Sequence, residues 1–68
     1  MVSVSRLGGK VFYLNPDLIE IMEETPDTVI TLLNGTKYVV SESTEEILAR
    51  IVAYRREVFV NLPAVYKE

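Results

Sequence analysis

The chain contains no cysteine, no histidine and no tryptophan among its 68 residues. Without cysteine there is no disulfide framework, and without cysteine and histidine there is no Cys/His zinc site. The Ser-His-Asp and Cys-His arrangements of nucleophilic enzymes are excluded as well, because each of them needs a histidine as its base. The lack of cysteine also fits a protein of the reducing cytosol.

Long hydrophobic runs are absent too, although the chain as a whole is strongly apolar. No stretch reaches the ~18 consecutive apolar residues that a membrane span needs. Hydrophobic residues nevertheless make up 49% of the chain. A single small domain hides only part of such an apolar load when it folds. The composition therefore predicts contact with a partner protein or with further copies of the chain.

Charge is distributed unevenly along the sequence. Residues 17–46 hold eight acidic residues and one lysine, a net charge of −7, whereas the whole chain carries −3. We interpret the acidic middle as a solvated face that keeps a small apolar sheet in solution. A surface complementary to a basic partner, or head-to-tail self-association, is the alternative. The net negative charge disfavours binding to a nucleic-acid backbone.

The first 41 residues have the pattern of short strands separated by turns. Fifteen valine and isoleucine residues favour strands, because branching at Cβ suits a pleated surface. The pattern predicts an antiparallel sheet of about five strands, at residues 2–6, 10–14, 18–24, 28–33 and 36–41. The paired glycines of Leu7–Lys10 predict one hairpin turn, and Asn34-Gly35 predicts another, of type I′ with positive φ at both residues.

Segment 18–24 is ambiguous, because its composition suits a helix for which Asp17 would be the N-cap. Its period-two alternation and its length of seven residues favour a strand instead.

The sequence Ser43-Thr44-Glu45-Glu46 is a capping box, in which the Ser43 hydroxyl and the Glu46 carboxylate bond to each other's backbone N–H groups.

The capping box begins a helix predicted at about residues 44–57. An apolar stripe along this helix is expected to cover one face of the sheet; it comprises Ile47, Leu48, Ile51, Val52, Tyr54 and Val58. The predicted fold class is therefore α+β: a small antiparallel sheet followed by one C-terminal helix packed on it. Residues 1–58 form one domain in this interpretation, and residues 59–68 form an apolar tail.

The acidic residues and the glycine loop are candidates for an acid/base pair, a metal site or a phosphate-binding loop, but their sequence patterns do not favour any of these sites. Most of the carboxylates of residues 20–27 alternate along or end a short strand, so we expect them to face solvent rather than to form an acid/base pair or a metal site. Leu7–Lys10 has neither the spacing nor the helix of a phosphate-binding loop. We therefore expect no enzyme activity, no catalytic or metal-ligating residue and no cofactor.

Aromatic and basic residues are interleaved in the strands, which is the composition of a nucleic-acid stacking platform. The residues concerned are Phe12, Tyr13 and Tyr38 with Arg6, Lys10 and Lys37. No RNA-binding sequence motif accompanies them, and the chain is acidic overall. Packing within the sheet is the simpler interpretation, and nucleic-acid binding is not expected.

The C-terminal tail is the most unusual segment, because it places large apolar residues after a charged helix end. Pro63 prevents a simple continuation of the helix. The tail either folds back over the chain's own sheet or docks on a second copy or another protein, and the sequence leaves both open. The candidate contact residues are Phe59, Val60, Leu62, Val65 and Tyr66.

Several segments together resemble the FlbD family of small bacterial proteins encoded among flagellar genes. They are Val4–Leu7, Gly9-Lys10, Phe12–Glu20, Thr25–Leu32, Asn34-Gly35, Tyr38–Val40 and Glu42-Ser43. The resemblance covers about residues 1–58. It implies a non-enzymatic accessory protein of the cytoplasm that supports motor function or swarming through contact with a flagellar protein, recruited to the inner face of the motor. The alternative is a small nucleic-acid-binding regulator of flagellar gene expression.

Overall fold

The computed structural model describes residues 1–60, with side chains through residue 58. Within this range the chain forms five strands and one α-helix: β1 (Val2–Ser5), β2 (Val11–Leu14), β3 (Ile19–Glu24), β4 (Thr28–Leu32), β5 (Lys37–Val40) and α1 (Thr44–Val60). The predicted α+β order is confirmed, and no strand end differs from its predicted position by more than one residue. The helix continues to Val60, three residues beyond its predicted end.

The strands are divided between two antiparallel sheets that meet at one point. One sheet pairs β1 with β2, and the other has the order β3-β4-β5. A bridge between Arg6 and Val40 joins them, and the Ser41 N–H donates to the Ser5 carbonyl oxygen at 2.9 Å. This joint brings the inner faces of both sheets to one core.

The core lies between the two sheets and α1. Its buried apolar residues are Val2, Val4, Leu14, Ile30, Leu32, Val40 and Ile47. Those on the strands occupy alternate positions, because successive side chains of a strand point to opposite faces. The helix contacts β1 and β3 and supplies Ile47, which is fully buried.

Segment 18–24 is a strand preceded by a short 3-10 turn at Pro16–Leu18. The Asn15 side chain caps this turn by accepting a 3.0 Å hydrogen bond from the Asp17 N–H, so Asp17 is not the cap. β3 then pairs with β4, which confirms the strand over the helix. A bulge between Ile19 and Ile21 shifts the register, and the half-buried residues of β3 become Ile19 and Met22 instead of strictly alternate positions.

Both hairpin turns place a glycine in the left-handed region. The Gly9 N–H donates to the Arg6 carbonyl at 2.7 Å, and the Gly35 N–H donates to the Leu32 carbonyl at 2.9 Å. Their φ angles are +96° and +90°, which only glycine adopts without strain. The two turns therefore share one geometry, in which a β-turn is followed by a glycine bulge.

The predicted type I′ turn at Asn34-Gly35 is wrong, although the hairpin itself is present. Within residues 1–60 only glycines have a positive φ, so Asn34 does not adopt the left-handed conformation that a type I′ turn requires. The Asn34 side chain instead accepts a 3.0 Å hydrogen bond from the Thr36 N–H. This bond stabilises a longer loop in which Gly35 alone needs the left-handed conformation.

Candidate partner-binding face

The N-terminus of α1 is fixed by two sets of hydrogen bonds. The predicted capping box is confirmed: the Glu46 N–H donates to Ser43 Oγ and the Ser43 N–H donates to Glu46 Oε1, both at 3.1 Å. Glu24 Oε1 at the end of β3 accepts from the Thr44 N–H and the Thr44 hydroxyl, both at 2.8 Å. The two hydrogen bonds from Thr44 hold the pKa of Glu24 below its ordinary value, and the bond from the Thr44 backbone N–H has the larger effect.

A partly buried ionic contact joins the helix to β1. Glu42 is 8% exposed, and its Oε1 accepts a 2.8 Å hydrogen bond from the Ser5 N–H. Arg50 Nη1 lies 3.3 Å from Glu42 Oε2 and donates to the Ser3 carbonyl at 2.8 Å. Burial alone would raise the pKa of Glu42, but the bonds from Ser5 and Arg50 together hold that pKa below its ordinary value. We call these four residues the Glu42–Arg50 clamp.

One side of α1 packs on the core, and an adjacent side remains open. Ile47 is buried and Ile51 and Tyr54 are half-buried, whereas Leu48 is 51% and Val52 50% exposed. Leu48 and Val52 lie one helical turn apart and form what we call the outer stripe. No helix in residues 1–60 is long and apolar enough to cross a membrane.

The sequence interpretation assigned Leu48, Val52 and Val58 to the sheet contact, and the structure corrects it: Leu48 and Val52 form the outer stripe, and Val58 is 41% exposed. The helical period indicates which residues are neighbours, but the width of the contact depends on how far the sheet extends under the helix. Next along the helix, Arg55 Nη2 lies 2.9 Å from Asp17 Oδ1, so an exposed ion pair borders the stripe. The sequence did contain a signal for the outer stripe. With Leu48 and Val52 included, the apolar side of the helix is wider than its contact with the core requires.

The predicted tail contacts lie at and beyond the end of the described chain. Phe59 and Val60 belong to the last turn of α1, and their side chains lie outside the described part of the structure, as do Leu62, Val65 and Tyr66. Their role in partner contact stays a prediction. In the sequence, position 59 follows Val52 by two helical turns, so the apolar spacing of the outer stripe leads into the tail.

The aromatic and basic residues considered as a nucleic-acid platform do not share one face. The Arg6 guanidinium lies 4.8 Å from the ring centre of Phe12 and 5.5 Å from that of Tyr38. These two rings face the core side and lie 5.2 Å apart. Tyr13 and Lys37 adjoin Phe12 and Tyr38 along their strands and therefore face the opposite way. The arrangement favours packing within the protein over nucleic-acid binding, because the Arg6 side chain already covers the rings of Phe12 and Tyr38.

An open cavity of about 250 Å³ lies between the end of β3 and the N-terminus of α1. Glu24, Asp27 and Glu46 line it, but Glu24 and Glu46 already bond to the first turn of the helix. Among residues 1–60, no three acidic, histidine or cysteine side chains are grouped closely enough to hold a metal ion. The geometry explains Glu24 and Glu46 as caps of the helix.

Among the comparisons with known proteins, a family model alone gives a match. Neither the curated proteins nor the solved structures include a match. The family model of FlbD, described as flagellar and swarming motility proteins, matches residues 1–59. This range holds every described strand and nearly all of α1. The chain therefore belongs to the FlbD family of flagellar and swarming motility proteins.

Proposed function

We propose that the protein is a non-enzymatic, cytoplasmic accessory of flagellar motility that acts by binding another motility protein through α1. Membership of the FlbD family supports the link to motility. The observation that carries the contact mechanism is the outer stripe, because Leu48 and Val52 expose about half of their surface beside the side of the helix that packs on the core. Apolar residues at i and i+4 are the pattern with which a helix binds an apolar groove.

The anchoring of α1 suits it to this role. Glu24 and the capping box fix its first turn, and the Glu42–Arg50 clamp fixes its middle against β1. A helix that is already ordered loses little conformational freedom when a partner binds, so more of the contact energy remains as affinity. In this proposal the tail residues Phe59 to Tyr66 extend the contact, and binding recruits the protein to the inner face of the motor.

The direct test compares two double variants in a motile host from which the gene has been deleted. Leu48→Ser with Val52→Ser removes the outer stripe, and we expect swarm expansion to fall to the level of the deletion strain while flagella still assemble. The matched control is Leu7→Ser with Val11→Ser, because Leu7 is 57% and Val11 55% exposed and neither residue belongs to α1. This control should swarm as the wild type does.

Two measurements make the comparison decisive. Circular dichroism and urea unfolding of the purified variants must show that both remain folded, so that a swarming defect reports on contact. A stripe variant that is folded and swarms normally would contradict the role of α1. A third variant, Phe59→Ser with Tyr66→Ser, tests the tail separately, and normal swarming there would confine the contact to the outer stripe.

A further inference from the structure

The three-stranded sheet has a second face that points away from the core. Its two rows are set by the strand register, in which Ile21 pairs with Thr31 and Lys37, and Glu23 pairs with Val29 and Val39. We call these six residues the outer sheet face; its four corner residues are exposed, whereas Thr31 on the central strand is buried between its neighbours and Val29 is half-buried. The side chains of the neighbouring rows, including Ile30 and Val40, point the other way into the core.

The corners of the outer sheet face carry two kinds of side chain on opposite diagonals. Ile21, 47% exposed, and Val39, 41% exposed, occupy one diagonal. Glu23 and Lys37 occupy the other, and both are exposed. Neighbouring strands lie about 4.8 Å apart and alternate residues about 6.7 Å apart, so the Cα atoms of Glu23 and Lys37 are separated by about 12 Å. Neither residue forms an ion pair within residues 1–60.

We propose that the outer sheet face binds the same face of a second copy of this chain, with a two-fold axis along the diagonal from Ile21 to Val39. Rotation about that axis places Ile21 against its own equivalent and Val39 against its own. The same rotation brings each of the other two corners close to the position of the opposite one, so Glu23 of each copy lies near Lys37 of the other. The interface is therefore self-complementary in charge, as a two-fold contact requires.

The geometry of this pairing agrees with known sheet packing. Because the axis runs diagonally to the strands, the strands of the two copies cross steeply, which is the orthogonal class of sheet-on-sheet contact. Lys37 is the single basic residue of the acidic segment 17–46, and the register places it on this face. Three short strands present less than the ~800 Å² per partner of a standard interface, so we expect a weak dimer that forms at high micromolar concentration.

Charge reversal tests the proposal because it distinguishes this interface from any other. In a dimer of either single variant, E23K or K37E, two pairs of like charges lie opposite one another. Sedimentation equilibrium should therefore show a dimer dissociation constant about tenfold higher than that of the wild type. The double variant E23K/K37E restores both pairs and should dimerise as the wild type does. An equimolar mixture of the two single variants should form mixed dimers, although neither variant dimerises well alone.

The control variant is E20K, which changes the net charge as E23K does but alters the bulge residue outside the two rows. It should leave the dissociation constant within about twofold. Monomer mass for the wild type up to high micromolar concentration overturns the proposal. So does a dimer that the single reversals leave unchanged, or a mixture that fails to associate. The proposal concerns the sheet and is independent of the outer stripe of α1.

Discussion

The Arg50 guanidinium lies 3.3 Å from the Glu42 carboxylate, and both side chains also bond to the backbone of β1. The carboxylate accepts from the Ser5 N–H and the guanidinium donates to the Ser3 carbonyl, so one ionic contact joins the helix to two points of the strand. β1 and α1 stand at opposite ends of the described chain, and the clamp connects them directly.

The clamp predicts that Glu42→Ala destabilises the protein more than loss of an exposed glutamate does. The substitution leaves the half-buried Ser5 N–H without its acceptor and Arg50 without its counter-ion. We expect the free energy of unfolding to fall by about 1–3 kcal/mol, the cost of an unsatisfied buried group. Urea unfolding measures this change. Glu20→Ala is the control, because Glu20 is exposed at the bulge, and an equal loss in both variants would contradict the role of the clamp.

Acid should weaken the protein partly through Glu42. Its pKa is held below the ordinary value in the folded state, so the unfolded chain binds the proton more readily. Stability from this group is therefore complete at neutral pH and is lost as the pH falls from about 5 through the folded pKa. Glu42→Gln removes this titration. We expect the decrease in the urea midpoint between pH 7 and pH 3.5 to be smaller in Glu42→Gln, with the remaining slope carried in part by Glu24.

The capping box predicts a separate contribution at the start of α1. Ser43→Ala removes the acceptor of the Glu46 N–H and should lower the free energy of unfolding by about 1 kcal/mol. Ser43→Asp keeps an acceptor and should stay close to the wild type. Ser41→Ala is the matched control, since the Ser41 hydroxyl makes only a 3.4 Å contact with the Ser5 carbonyl. Equal losses in Ser43→Ala and Ser43→Asp would rule out capping as the cause.

Most features formed by neighbouring residues were predictable from the sequence, although the type of the Asn34-Gly35 turn was not. The capping box joins residues three positions apart, and strand alternation needs only adjacent positions, so both were identified correctly. Family resemblance, which uses the same local motifs, was confirmed by the match over residues 1–59.

Features that depend on distant residues could not be predicted in this way. The Glu42–Arg50 clamp joins Ser5 to a residue 37 positions away and Ser3 to one 47 positions away, and no local pattern marks such pairs. The bulge in β3 carries no glycine or proline to indicate it. The exposure of Leu48 and Val52 depends on the width of the sheet under the helix, which sequence periodicity does not contain.

The two hairpin turns predict opposite effects for three glycines that look equivalent in the sequence. Gly9→Ala and Gly35→Ala force a side chain into the left-handed region, which should cost about 1–2 kcal/mol of unfolding free energy each. Gly8 has no positive φ, and a Cβ added there meets no atom within 4 Å, so Gly8→Ala should be neutral or stabilise the protein by up to about 1 kcal/mol. Urea unfolding of the three variants measures the contrast. A destabilising Gly8→Ala beside a neutral Gly9→Ala would contradict the glycine bulge, because it would place the positive φ at Gly8 and not at Gly9.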